Sequence, residues 1–330
     1  KDLSGVIAEK TANVLSGAGK LTAQAGGKVA GSGNYLIGKT VGFFENLGSE
    51  AAESASEPAT SSDYDSGKQS SLLSSQTKIN YPAISCDTEK FQIKSKAALI
   101  KYLDYNYNRD ILNLNADERW PIASVSKLMT SVAAVEIIGW DEKIPVSEKA
   151  VATEGIAGSL KAGEVYSVRD LIKAMLITSS NDAAVALSEF IGEKEFIDLM
   201  QKKARELKML QTTYLEPTGL SFVNQSTAND LAKLASYINQ SYPELFKISR
   251  LREAQITDLK SGRTKTLLNI DRFAGNEDFL GGKTGYIDES GRNLVAVFNV
   301  DGRRVLTITL GSDDSFSETD KLKAIVESCR

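Results

Sequence analysis

Histidine is absent from all 330 residues, which excludes Ser/His/Asp and Cys/His catalysis together with every His-ligated metal site. If this chain carries a nucleophile, lysine must be its base, because a lysine can lose its proton near neutral pH once burial or a neighbouring charge lowers its pKa. Cysteine is nearly absent as well. Cys86 and Cys329 lie close to the two ends of the part that reads as folded, a spacing that rules out a zinc cluster or a CxxC redox pair. A disulfide between them would suit an oxidising, extracytoplasmic compartment, and two separate thiols fit the sequence equally well. An excess of one charge is lacking too: 39 basic against 43 acidic residues give a net charge of -4, with no basic surplus for nucleic acid. A hydrophobic content of 42% is enough for a substantial core.

Against those absences stands one stretch, Arg119-Trp-Pro-Ile-Ala-Ser-Val-Ser-Lys-Leu-Met-Thr. Pro121, followed by an apolar run that ends near Gly139, predicts a helix with a proline-led start. Ser124 and Lys127 then fall one turn apart on one face, so the amine can approach the hydroxyl without help from another segment. The unpaired N–H groups at a helix start would also favour an alkoxide or an oxyanion. A single Ser-x-x-Lys is a weak signal, since both residues are ordinary on helices.

Upstream, residues 1–48 hold ten of the 25 glycines and no proline, with Ile7, Val14, Leu21, Val29, Leu36 and Phe43 recurring every seven or eight residues. That stripe predicts a weakly amphipathic arm able to touch a membrane surface, although its interior glycines disfavour a stable helix and leave a disordered arm as the alternative. Its lysines are too frequent for a bilayer-spanning segment. Residues 49–80 turn to Ser, Glu, Thr and Asp, the composition of a disordered linker. A globular domain is expected over 81–330. Ala97–Leu103 and Ile111–Leu114 read as a strand hairpin, Val168–Leu176, Asp182–Ile191, Lys194–Leu207, Thr227–Tyr237 and Leu245–Leu251 as helices, and the chain after Phe279 as strands closed by a helix over Ser317–Cys329. Strands from both ends of the domain around a run of helices imply an α+β fold, an α/β sandwich whose antiparallel sheet carries an inserted helical lobe.

Two further motifs lie on this frame. Ser179-Ser-Asn181 sits at a break between two helical patterns, where a turn can aim its hydroxyl and amide into a cleft. Lys283-Thr284-Gly285 lies in a strand-like run, and Gly285 allows another backbone to approach closely. Ser-x-x-Lys, Ser-x-Asn and Lys-Thr-Gly in that order are the signature of penicillin-recognising serine acyl-transferases. Together with Glu216-Pro-Thr-Gly-Leu and Gly282-Lys-Thr-Gly-Tyr-Ile-Asp-Glu-Ser-Gly, the chain resembles the low-molecular-mass penicillin-binding proteins of the serine D-alanyl-D-alanine carboxypeptidase family, from about Ile93 onward.

The resemblance implies a β-lactamase/transpeptidase-like fold and a cofactor-free, metal-free serine peptidase of the periplasm or cell envelope. Such an enzyme removes the terminal D-alanine of peptidoglycan stem peptides and is acylated by β-lactams. Carried onto this sequence, it implies Ser124 as nucleophile, Lys127 as base, Ser179 as proton relay to the leaving group, and Asn181 as the group that holds Lys127 and the substrate amide. Lys283 and Thr284 would bind the terminal carboxylate, and the N–H groups of Ser124 and Tyr286 would form the oxyanion hole. The sequence ends directly after its closing helix, so membrane attachment is expected from the N-terminal side. No basic residue occurs over 312–318, where some relatives place an arginine for the carboxylate, and Arg292 is a candidate substitute. That difference keeps a D,D-endopeptidase as an alternative. A class A β-lactamase would need a Glu-x-x-Leu-Asn loop, which Glu216-Pro-Thr-Gly-Leu does not match, and a non-catalytic β-lactam or peptidoglycan sensor would keep the motifs without turnover.

Overall fold

Five strands make the central sheet of the computed structural model, in the spatial order Asp110–Leu114, Ala97–Tyr102, Arg303–Ser312, Gly291–Val300 and Phe279–Ile287, antiparallel throughout. The structure describes Cys86 and residues 90–103, 110–155 and 159–329, which lie within one compact unit, Pro82–Arg330. The amphipathic arm and linker assigned to 1–48 and 49–80 lie outside the described residues. Strands β1 (Ala97–Tyr102) and β2 (Asp110–Leu114) form the expected N-terminal hairpin. The C-terminal strands β9 (Phe279–Ile287), β10 (Gly291–Val300) and β11 (Arg303–Ser312) complete the sheet, with β1 paired along β11 from Ala97↔Leu310 to Tyr102↔Val305. Both ends of the domain therefore build one sheet.

Alternation of side chains along these strands sends apolar residues to two different cores. Leu99, Val295, Val297, Leu306 and Ile308 face the helical lobe, whereas Ala98, Ile100, Tyr102 and Val305 face the C-terminal helix α8 (Ser315–Glu327) through Leu322, Ile325 and Val326. Because both faces are covered, these strands read as nearly unbroken apolar runs. Phe273, Phe279 and Phe298 add an aromatic cluster, with Phe273 edge-on to Phe298 at 5.1 Å between centroids.

The lobe inserted between β2 and β9 contains α1 (Lys127–Ile137), α2 (Glu148–Val151), α3 (Val168–Ile177), α4 (Asn181–Ile191), α5 (Glu193–Glu206), α6 (Ala228–Ser241) and α7 (Pro243–Ser249). Four of these begin with side-chain caps: Ser147 Oγ accepts from Ala150 N, Ser167 Oγ from Asp170 N, Ser180 Oγ from Ala183 N, and Thr227 from Asp230 N. Short strand pairs lie among the helices, namely β3 (Trp120–Pro121) with β6 (Gln225–Ser226), β4 (Lys143–Pro145) with β5 (Val165–Ser167), and β7 (Glu253–Thr257) with β8 (Thr264–Leu268).

One local expectation is corrected. Pro121 does not start a helix: it pairs with Gln225 as a strand residue, and a 3-10 turn over Ala123–Ser126 follows before α1 begins at Lys127. The Asn224 carbonyl accepts the Ile122 N–H at 3.0 Å, so pairing to a distant segment holds Pro121 extended.

Candidate active site

Ser124 sits in the 3-10 turn and Lys127 at the first residue of α1, so the three-residue spacing stacks the two side chains, as 3-10 geometry requires. Lys127 Nζ lies 2.8 Å from Ser124 Oγ. The same nitrogen donates to Asn181 Oδ1 at 2.7 Å and to the Thr218 carbonyl at 2.5 Å. Its side chain is fully buried, and burial is the largest cause holding its pKa well below the ordinary lysine value. Repulsion from Lys283 adds to that, while Glu216 and Asp182 oppose it.

Asn181 opens α4 immediately after a turn in which Ser179 adopts φ +61°. A left-handed, non-glycine residue is costly and persists only where its surroundings enforce it. Here the Ser180 N–H donates to the Ala174 carbonyl at 3.2 Å, tying the turn to the end of α3. The turn brings Ser179 Oγ to 3.0 Å from Lys283 Nζ, and Asn181 Nδ2 donates to the Glu154 carbonyl at 2.8 Å. The amide is thus fixed at both ends, with its oxygen on Lys127.

Lys283 projects from β9 and also donates to the Thr284 carbonyl at 2.8 Å. Burial lowers its pKa to about 7 against an opposing pull from Asp271, and one Asp271 oxygen is buried without a hydrogen-bond partner. Gly285 faces the Ser124 turn so closely that a Cβ there would lie 2.6 Å from the Ile122 carbonyl and 3.2 Å from Ser124 N. Strand β9 and the Ser124 turn therefore lie against each other, and Ser124, Lys127, Ser179, Asn181, Lys283 and Thr284 are brought together there. Tyr286 follows on the same strand with an exposed ring. Arg292 pairs with Tyr286 across β9 and β10, its guanidinium 5.1 Å from the ring centroid. The nearest strand partner of Lys283 is Val295 instead, so Arg292 joins Tyr286 at the end of the strand and not the buried lysines.

Side-chain motifs could not reveal the Thr218 or Glu154 carbonyls, because a backbone acceptor has no side-chain signature. Asp271 was equally silent as a lone aspartate. Cys86 and Cys329 are joined by a disulfide. Among the described residues no cluster of metal-ligating side chains occurs, and no helix is long and apolar enough to cross a membrane.

The D-alanyl-D-alanine carboxypeptidase family profile matches residues 84–314. The D-alanyl-D-alanine endopeptidase of Escherichia coli is 30% identical over 72% of this chain and 78% of its own. D-alanyl-D-alanine carboxypeptidase DacC of the same organism is 31% identical over 67% of this chain and 58% of its own. Penicillin-binding protein D2 of Listeria monocytogenes, solved in an ampicillin-bound form, superposes with a TM-score of 0.61 at 30% identity, covering 70% of this chain and 96% of that one.

Proposed function

This chain belongs to the D-alanyl-D-alanine carboxypeptidase family of serine peptidases, and from that premise we propose how its own residues carry out the reaction. The substrate is the D-Ala-D-Ala end of a peptidoglycan stem peptide. Ser124 Oγ attacks the penultimate carbonyl while its proton passes to the unprotonated Lys127 amine. The resulting oxyanion takes hydrogen bonds from the Ser124 and Tyr286 N–H groups. Ser179 relays to the departing D-alanine nitrogen the proton that Lys127 took from Ser124, which returns Lys127 to its neutral form, while the Lys283 ammonium 3.0 Å from Ser179 Oγ keeps its charge. Lys283 and Thr284 hold the terminal carboxylate, with Arg292 as an outer cation. Water then attacks the acyl-Ser124 ester with Lys127 again as base, releasing the shortened peptide and the free serine. A β-lactam enters the same way, its ring amide standing for the scissile bond, and stays on Ser124 as an ester.

The observation that carries this reading is a fully buried lysine 2.8 Å from a serine hydroxyl in a chain without histidine. Ser124→Ala is expected to abolish covalent labelling by a fluorescent penicillin and release of D-alanine from a pentapeptide, with a thermal transition within about 1 to 2 kcal/mol of the parent. Full labelling of that variant would sink the assignment. Ser126 serves as a control, since its hydroxyl accepts from Asn224 Nδ2 at 3.1 Å and has its own structural duty.

A D,D-endopeptidase reading is favoured by the relatives of that name, the E. coli protein among them. The bond broken is chemically the same, and the leaving amine belongs to a second stem peptide. Parallel assays on a pentapeptide and a cross-linked dimer separate the two readings by which is consumed faster. Peptidoglycan lies in the cell envelope, which supports an extracytoplasmic compartment for this chain. For the arm over 1–48 we propose contact with an anionic membrane surface. The full chain should then sediment with anionic vesicles and a chain beginning at Tyr81 should not, and equal sedimentation would refute the contact.

A further inference from the structure

The segment Glu216-Pro-Thr-Gly-Leu takes no direct part in the reaction above, yet its geometry converges on the base. Glu216 Oε2 accepts the Thr218 N–H at 2.6 Å and the Thr218 hydroxyl at 2.5 Å, and Oε1 accepts the N–H groups of Gly219 at 2.7 Å and Ser221 at 3.2 Å. One carboxylate thus collects four donors from its own loop, which closes the loop into a rigid ring. Three external contacts fix that ring to the helix that bears the base. Thr130 Oγ1 donates to the Pro217 carbonyl at 2.7 Å, and Asn224 Nδ2 donates both to the Glu216 carbonyl at 2.9 Å and to Ser126 Oγ. Gly219, at φ +85°, lies so tightly against the nucleophile's turn that a Cβ there would fall 2.0 Å from the Ala123 carbonyl oxygen.

What the ring presents is the Thr218 carbonyl, 2.5 Å from Lys127 Nζ. An ammonium has three N–H donors, and loss of one proton leaves two donors and one lone pair. Around Lys127 there are two neighbours that can only accept, Asn181 Oδ1 and the Thr218 carbonyl, and a third, Ser124 Oγ, that can also donate. When the amine is neutral, its two N–H groups satisfy the two obligatory acceptors and the lone pair has only Ser124 left to face. We propose that Glu216 is a positioning residue, whose carboxylate holds the Thr218 carbonyl on Lys127 Nζ so that the lone pair of the neutral amine points at the Ser124 hydroxyl. As Oγ bonds the substrate carbonyl carbon, the hydroxyl proton moves onto that lone pair, and the new ammonium keeps both earlier bonds. Without the Thr218 carbonyl the amine could rotate and offer Ser124 an N–H instead. Glu216 itself never touches the reacting atoms.

This inference rests on Lys127 being the base, and the test separates the two claims. The charges that act on Lys127 are Lys283 from β9, Asp182 from α4 and Glu216 from the loop. Glu216→Gln removes one negative charge and puts an amide donor where donors already crowd. The rate of acylation by a soluble penicillin should fall about tenfold or more at its plateau, because the base is misaligned. The rising limb of its pH profile should also move to more acidic pH, because an ammonium-stabilising charge is lost. A plateau within twofold of the parent overturns the proposal, as does a lower plateau with an unmoved limb, which is the mark of a loop that matters only for folding. If Glu216→Gln does not fold, Glu216→Asp carries the test by keeping the charge on a shorter arm. Its plateau should fall while the limb stays in place, and a parent-like plateau overturns the proposal. A Ser124→Ala protein that still labels would refute the mechanism itself, whereas a silent Ser124→Ala beside a normal Glu216→Gln would refute only the role of Glu216.

Discussion

Two buried lysines, Lys127 and Lys283, oppose each other in what the proposed reaction asks of them. Lys127 must be neutral to accept the Ser124 proton, and its lowered pKa makes the neutral form available. Lys283 must be charged to bind a carboxylate, and its pKa of about 7 means that it loses that charge as pH rises through neutrality. For a carboxylate-bearing substrate, kcat/KM should therefore rise with pH through the pKa of Lys127 and fall above about 7, with both limbs belonging to the interacting pair. A profile flat from acid to alkaline pH would contradict this. Lys127→Arg should abolish acylation although the charge is kept, because a guanidinium does not deprotonate in the working range. Near-normal acylation by that variant would show another base at work. The residue types of this pair were legible in the sequence, since the absence of histidine together with Ser-x-x-Lys and Lys-Thr-Gly already singled them out. Their depressed pKa values were not, because desolvation is a property of packing.

At the level of elements, two glycines let the cleft close. Gly219 and Gly285 press from opposite segments on the turn that carries Ser124, and a side chain at either would meet backbone that cannot swing away. Gly219→Ala combines that clash with a positive φ, and it should cost about 3 kcal/mol of stability and lower the acylation rate more than tenfold. Chemical denaturation together with penicillin labelling checks both, and a parent-like rate with unchanged stability would mean that the loop yields freely. The strands at both ends and the long amphipathic helices were readable from period and composition. The β7–β8 hairpin was not, because each strand buries only one residue, Ile256 or Leu267, fully, and so carries almost no alternating signal. The start of α1 is hidden in the sequence for a related reason: Pro121 suits a first helical turn and an extended strand end alike, and only its pairing with Gln225 chooses.

Across the whole molecule, the disulfide Cys86–Cys329 joins the start of the described chain to its closing helix over 243 residues. A cross-link that closes so long a loop limits the unfolded ensemble, by at most roughly 5 kcal/mol in the chain-entropy picture. Cys329→Ser should lower the thermal midpoint yet leave the acylation rate of the folded enzyme near that of the parent, because the bond lies at α8, on the sheet face away from the lobe. A loss of acylation in fully folded protein would show that the bond shapes the cleft.

Residue content and order were enough to determine the chemistry available to this protein. A chain without histidine, with Ser-x-x-Lys, Ser-x-Asn and Lys-Thr-Gly in sequence, has a lysine-based acyl transfer open to it, and the periodicities around the motifs give a sheet built from both ends with helices between. Tertiary structure alone decided which groups surround the two lysines. Lys127 meets Asn181 across 54 residues and Thr218 across 91, and Lys283 meets Ser179 across 104. Pattern in a sequence is local, whereas burial, charge repulsion and the direction of a lone pair depend on neighbours that only the folded chain brings within 3 Å.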